Sequence, residues 1–235
     1  MGGKCLVVGA SGDIGLAIVK KLAVEGHRII LHYNRDKQVF NELVAESIDS
    51  IVQGDLSTSQ GIHQFLEHLD DSIENVVFAS GISHVGLFQD TTEQIMDRMI
   101  HLHVKAPWMI SKYLLPNMIT NKKGNIILIS SIWGTKGASC EVVYSSVKGA
   151  QNTFVKALAK EVGPSGIRVN AVSPGFIDTK MNQVFSAIEK RELIEEIPLL
   201  RSGQPVDVAN LVAFLLSAES AYIHGEVIEI TGGWD

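Results

Sequence analysis

Two cysteines in 235 residues offer neither a disulfide framework nor a zinc knuckle. Cys5 falls in a strand-like apolar run and Cys140 in an expected loop, a pattern that suits a reducing, cytoplasmic setting. Positive charge is in the minority, with 20 Lys and Arg against 26 Asp and Glu. The formal net charge of -6 excludes the basic excess that marks a nucleic-acid surface. No apolar run reaches membrane length, and neither a basic leader nor a signal segment precedes the first strand-like run. The opening Met1-Gly2-Gly3-Lys4-Cys5-Leu6 fails as a myristoylation signal because Leu6 stands where Ser or Thr is needed. Repeats, low-complexity tracts and linkers are missing as well, which points to one domain acting on small-molecule or protein-borne substrates.

What is present is alternation. Apolar, strand-like runs at 4–8, 28–33, 50–54, 75–79, 125–130, 168–172 and 226–230 are separated by longer helical patterns. Seven near-continuous runs predict a parallel sheet buried on both faces. In the helix expected over 141–162, Val143, Val147, Ala150, Phe154 and Leu158 mark a core stripe. The expected fold is a single α/β domain over 1–235: a doubly wound Rossmann sheet of seven parallel strands with helices on both faces.

The first strand enters Gly9-Ala10-Ser11-Gly12-Asp13-Ile14-Gly15 and then an amphipathic helix. Glycines at such a turn let backbone approach a pyrophosphate whose charge the helix N-terminus stabilises, which selects Gly9, Ser11, Gly12, Ile14 and Gly15. A glycine-rich turn without a ligand has the same spacing. Asp13 suits the helix dipole but would repel a phosphate, so its side chain is expected to point away. The second strand ends in His32-Tyr33-Asn34-Arg35, lacking the acid that holds ribose hydroxyls in NAD-binding folds. Asn34 and Arg35 offer partners for a 2′-phosphate instead, favouring NADP(H) over NAD(H), although an exposed strand-end Arg looks the same. In Gly54-Asp55-Leu56, Asp55 and Leu56 are candidate adenine contacts, with a helix cap as the other reading of Asp55.

Tyr144 and Lys148 are four residues apart, so a helix stacks phenol and ammonium on one face. There the Lys charge is expected to lower the Tyr pKa and ready it for proton transfer. Ser131 follows an apolar strand thirteen residues earlier. Together with Asn170-Ala171-Val172-Ser173-Pro174-Gly175, these residues resemble the short-chain dehydrogenase/reductase family, which carries a Thr-Gly-x-x-x-Gly-x-Gly loop, an Asp after the third strand, Asn-Asn-Ala-Gly, Ser with Tyr-x-x-x-Lys, and Asn-x-x-x-Pro-Gly. The likeness spans essentially the whole chain. Arg201-Ser202-Gly203-Gln204-Pro205 with Val208-Ala209, and Ile230-Thr231-Gly232-Gly233, are most similar to 3-oxoacyl-acyl-carrier-protein reductases of fatty-acid biosynthesis.

The resemblance implies that NADPH delivers hydride to a carbonyl carbon while Tyr144 protonates the oxygen, Ser131 holds that oxygen, and Lys148 binds the nicotinamide ribose. It places Gly81, Pro174, Gly175, Ile177 and Thr179 beside the cofactor, Thr179 at the carboxamide. It divides the chain into a cofactor half (about 1–125), a catalytic half (about 126–235) and a lid (180–198) that includes Met181 at the substrate. It also implies a homodimer or homotetramer, with helices around 95–117 and 141–162 at the seam.

Three departures stand out. Val8 replaces the loop Thr, with glycines at 9, 12 and 15, and Phe78-Ala79-Ser80-Gly81 replaces Asn-Asn-Ala-Gly. His103 replaces the Asn assigned to a water-mediated proton relay. Its imidazole is expected either to join that relay, with altered pH dependence, or to fill space while a backbone carbonyl holds the water. His101 and His103 fall on different helix faces, so no metal is expected there.

Glu141 sits at the expected substrate mouth, where a carboxylate suits an ammonium better than an acyl thioester. With Ser131-Ile132-Trp133-Gly134 it resembles bacterial reductases of the 5-aminopentanone group on elongation factor P. A dipole-favoured helix-start Glu is the plainer reading. Lys122-Lys123 would greet an acyl carrier protein or form a solvated pair. A lapsed member that senses NADPH is the remaining alternative, against which Ser131, Tyr144 and Lys148 argue.

Overall fold

The computed structural model describes residues 3–41, 43 and 45–234; Met1 and Gly2, which open the rejected acylation signal, lie outside the described residues. Seven strands form one all-parallel sheet. In chain order the elements are β1 (Lys4–Val8), α1 (Asp13–Val24), β2 (Arg28–Tyr33), β3 (Ile48–Gln53), α2 (Ser59–Glu67), β4 (Asn75–Phe78), α3 (Glu93–Ile100) and α4 (Ala106–Asn121). They continue with β5 (Gly124–Ile129), α5 (Trp133–Lys136), α6 (Val142–Val162), β6 (Ile167–Pro174), α7 (Ala187–Glu196), α8 (Pro205–Leu216) and β7 (Val227–Ile230).

Strand order is β3-β2-β1-β4-β5-β6-β7, which reverses direction of growth between β1 and β4. Ligands of such sheets bind at that switch point, outside the carboxyl ends of the strands. Alternate strand residues feed two cores. Leu6, Val8, Val76, Ile126 and Leu128 pack under α2, α4 and α6, while Cys5, Val7, Val77, Ile127 and Ile129 pack under α1 and α8. The expected three-layer α/β fold is therefore observed, with strand limits shifted by one or two residues at several ends.

Two helical expectations change. The helix expected around 95–117 is interrupted: a π-helical turn, His101–Lys105, joins α3 to α4. On α6, Val147 and Leu158 of the apolar stripe read from sequence are buried, and beside them a further buried line runs through Lys148, Gln151, Asn152, Val155, Ala159 and Val162. Polar residues occupy that line because they face the end of the sheet, where they find partners. Among the described residues no helix is long and apolar enough to cross a membrane.

Gly15 enters the first turn of α1 directly over Gly9. A Cβ there would lie 2.1 Å from the Gly9 carbonyl oxygen, so Gly15 serves this packing and does not line the cleft, contrary to its expected place among the cofactor contacts. Ala normally gains about 1 kcal/mol over Gly inside a helix. Here overpacking wins, and Gly15→Ala should instead lose about 1–3 kcal/mol in denaturant unfolding; a neutral or stabilising result would contradict the close approach.

Candidate active site

A cleft of about 570 Å³ opens along the carboxyl ends of the strands. At one end lie Asn34, Arg35, Asp55, Leu56 and Arg98, in the middle Gly9, Ser11, Gly12, Ile14 and Gly81, and at the other Ser131, Glu141, Tyr144, Lys148, Pro174, Gly175, Ile177, Thr179 and Met181. Apart from Gly15 and His103, the sequence-derived site residues all reach this one cleft.

The floor is backbone. Gly9 adopts φ +83°, and a Cβ on it would lie 2.5 Å from the Ser80 backbone at the exit of β4. Its amide donates to His32 Nδ1 (3.0 Å), and His32 Nε2 donates to the Gly54 carbonyl (3.0 Å). One imidazole thus ties the exits of β1, β2 and β3 together. Burial pushes His32 down to about 4, so it stays neutral, the form this bonding requires. Gly12 caps α1 without a side-chain bond, leaving first-turn amides available to an anion. A bare glycine cradle, uncapped amides and a cleft of this volume fit a nicotinamide dinucleotide.

Asp13 borders the cleft, and its carboxylate accepts the Lys180 amide at 2.6 Å. Asp55 is not a helix cap, since Thr58 caps α2 through the Gly61 amide. The carboxyl is held below its ordinary range by the Ser57 hydroxyl and amide, then by the charges of Arg98 and Arg35. Asp36, which follows Arg35 in the chain, is turned to the Gln38 amide (3.0 Å).

At the far end, Ser131 follows β5 and its hydroxyl bonds the Tyr144 phenol. Burial, then the Glu141 charge, push Tyr144 up to about 12, and the Ser131 bond pulls it down. Lys148 is not what sets this value. Its Nζ sits 5.6 Å from the ring centroid and is bonded to the Ile129 carbonyl (2.7 Å) and Gln151 Oε1 (3.3 Å). It is 3% exposed, and burial brings its own pKa down to about 7. Burial, and not the Lys148 charge, therefore dominates the phenol's pKa in this structure. Tyr144 keeps its proton at neutral pH, as a proton donor must.

His103 lies outside the cleft. It is fully buried, with Nε2 2.9 Å from the Ile82 carbonyl and Nδ1 lacking a partner among the described residues. Burial, then the Lys148 charge, push it down to about 3. An imidazole held so low does not take up a proton at working pH, so the relay role is not supported. Its backbone carbonyl accepts from Gln151 Nε2 (2.8 Å).

Glu141 is half-buried at the start of α6, raised by burial, and makes no capping bond. It shares the cleft wall with Trp133 and Trp234, whose rings meet edge to face at 5.4 Å. Lys122 and Lys123 precede β5, at the opposite end from the cleft, and Lys123 pairs with Glu74 (2.6 Å). A carrier docking at the cleft would not meet them.

Sequence reasoning missed His32, Arg98, Trp234 and Gln151. Two had signals: a polar residue inside an apolar strand, and a residue one turn beyond Lys148. Trp234 and Arg98 arrive by tertiary folding.

Comparison with known proteins matches residues 9–235 to a family model described as enoyl-(acyl carrier protein) reductase. The chain is 46% identical to the "Uncharacterized oxidoreductase YmfI" of Bacillus subtilis, over 97% of each sequence. It is 35% identical to the 3-oxoacyl-[acyl-carrier-protein] reductase FabG of Aquifex aeolicus, covering 97% of this chain and 95% of the relative. The FabG of Staphylococcus aureus is 33% identical, covering 97% and 96%.

The two neutral imidazoles make stability depend on pH. Their folded pKa values lie below the unfolded 6.5, so the stability is present above pH 6.5 and is lost as pH falls toward 4 for His32 and 3 for His103. Urea unfolding at pH 5 should show about 2 kcal/mol less per imidazole than at pH 7.5. Equal midpoints at the two pH values would refute the buried, neutral assignment.

Proposed function

Because this chain belongs to the short-chain dehydrogenase/reductase family of oxidoreductases, which bind nicotinamide cofactors, we propose that it reduces a ketone with NADPH. The convergence of Ser131, Tyr144 and Lys148 at one end of the cleft carries this reading. The bound cofactor would supply hydride to the carbonyl carbon. Tyr144 holds the proton at its hydroxyl and passes it to the carbonyl oxygen as charge develops there. Ser131 orients the same oxygen, and Lys148 keeps a proton free for the nicotinamide ribose.

Gly9, Ser11, Gly12 and Ile14 would hold the pyrophosphate, Asp55 and Leu56 the adenine, and Gly81, Pro174, Gly175, Ile177 and Thr179 the nicotinamide half. Arg35, with Asn34, supports NADP(H), since the neighbouring acid Asp36 is already engaged. The cofactor and catalytic halves meet in this cleft, and the segment 180–198, with Met181, acts as the lid. A seam along α4 and α6 of a homodimer or homotetramer is supported by the exposed Trp108 and Tyr113.

A 3-oxoacyl thioester on acyl carrier protein is the first substrate reading, by likeness to the named relatives. Glu141 favours a second: an ammonium-bearing ketone such as the 5-aminopentanone of elongation factor P. Its half-buried carboxylate, in a cleft that Trp133 and Trp234 also line, suits a cation.

NADPH consumption with a 3-oxoacyl thioester, and separately with an aminopentanone-bearing protein, decides between them. Tyr144→Phe should slow the preferred reaction by about 10²–10⁴-fold, and NADPH binding without turnover of any ketone would leave only the sensor reading. Glu141→Gln should weaken the aminated substrate alone; equal effects on both would remove the carboxylate argument. Arg35→Asp should reverse the preference for NADPH over NADH, and an unchanged ratio would refute the phosphate contact.

A further inference from the structure

Gln151 is 3% exposed, lies one turn beyond Lys148 on α6, and touches neither wall nor floor of the cleft. Its Oε1 accepts from Lys148 Nζ (3.3 Å), and its Nε2 donates to the His103 carbonyl (2.8 Å). That carbonyl belongs to the π-helical turn His101–Lys105, where the widened spacing takes backbone groups out of the α-helical ladder. A buried acceptor of this kind needs a partner, and the Gln amide supplies it.

The amide has one possible orientation. Reversed, it would set its NH₂ against the Lys ammonium and its oxygen against the His103 carbonyl, losing both bonds. The ammonium has three protons; the Ile129 carbonyl takes one and Gln151 takes another, leaving one for the cleft. We propose that Gln151 is a positioning residue that fixes the Lys148 ammonium on the π-helical turn by holding the His103 carbonyl with its other end.

The surrounding groups leave this role to Gln151. From its own helix Lys148 faces Tyr144, with Glu141 beyond it; the π-helical turn presents the neutral His103; β5 presents the Ile129 carbonyl, while the Ser130 hydroxyl is turned to the Lys148 backbone carbonyl and Asn152 and the Ser131 hydroxyl to Tyr144. Gln151 is the side chain that accepts from the ammonium. The catalytic consequence rests on the reductase reading, whereas the effect on Lys148 rests on the geometry alone.

The test titrates Lys148 directly, by NMR of lysine labelled with ¹³C at the ε carbon, and compares it with the pH profile of kcat/KM. An acceptor favours the charged form, so Gln151→Leu should lower the Lys148 midpoint by about one pH unit and move the alkaline limb of kcat/KM down with it. Gln151→Glu should move both upward. Should the Leu variant fail to fold, the Glu variant decides alone. Midpoints that stay put, or shift in the same direction in both variants, would overturn the assignment even with full turnover. Opposite shifts in a chain that reduces no ketone would uphold Gln151 and refute the reductase reading.

Discussion

The turn between β1 and α1 has no room for side chains, and the rest of the cleft is arranged around that constraint. Gly9 touches the exit of β4 on one side and the first turn of α1 on the other, while its amide is held by His32. Because His32 also grips Gly54, a single backbone position sets where β1, β2, β3 and β4 end relative to one another. A floor of bare backbone lets an anion come close to the amides of α1, and the neighbouring strand exits offer the groups that would read the rest of a dinucleotide.

The end of the cleft that holds Ser131, Tyr144 and Lys148 solves a different problem. An ammonium buried almost completely is costly unless its protons find acceptors. Lys148 finds them in the last carbonyl of β5 and in Gln151, and α6 gives a line of its buried surface to polar residues to achieve this. Ser130 joins the same helix through Asn152 (2.6 Å), so the β5 exit is fastened to α6 at two adjacent residues. Ser131 and Tyr144 face one another because those two elements are locked together. The same dry surroundings that lower Lys148 raise Tyr144, pulling an acid and a base toward opposite ends of their usual ranges.

Much of this was legible beforehand, for a physical reason. Apolar runs of strand length, glycines at a strand-helix turn and a four-residue spacing are local patterns, and local geometry obeys them: the seven strands, the glycine loop and the Tyr144–Lys148 pair lie where they were read. Properties that depend on burial by distant segments were not legible. Nothing in Leu102-His103-Val104 says that the helix widens there, or that the imidazole is sealed against Ile82 and kept uncharged. The spacing of Tyr144 and Lys148 says that the two meet, but the balance between burial and charge is set by β5 and Gln151, which lie outside the pattern. Gln151 itself shares a face with Lys148 and was visible; the acceptor it satisfies was not.

Asp13 serves two masters. Its backbone opens the helix end where negative charge would gather, while its carboxylate moors the chain at Lys180, the root of the segment beside the reactive hydroxyls. The middle of the cleft is thereby joined to its Ser131–Tyr144 end across the span of one side chain instead of through the sheet. Lifting the segment from its root breaks that bond and leaves the carboxylate alone at the mouth of the anion cradle. A ligand that drew the carboxylate off the Lys180 amide would bind and release this segment in one event, and thermodynamic reciprocity would then require each to influence the other by the same factor.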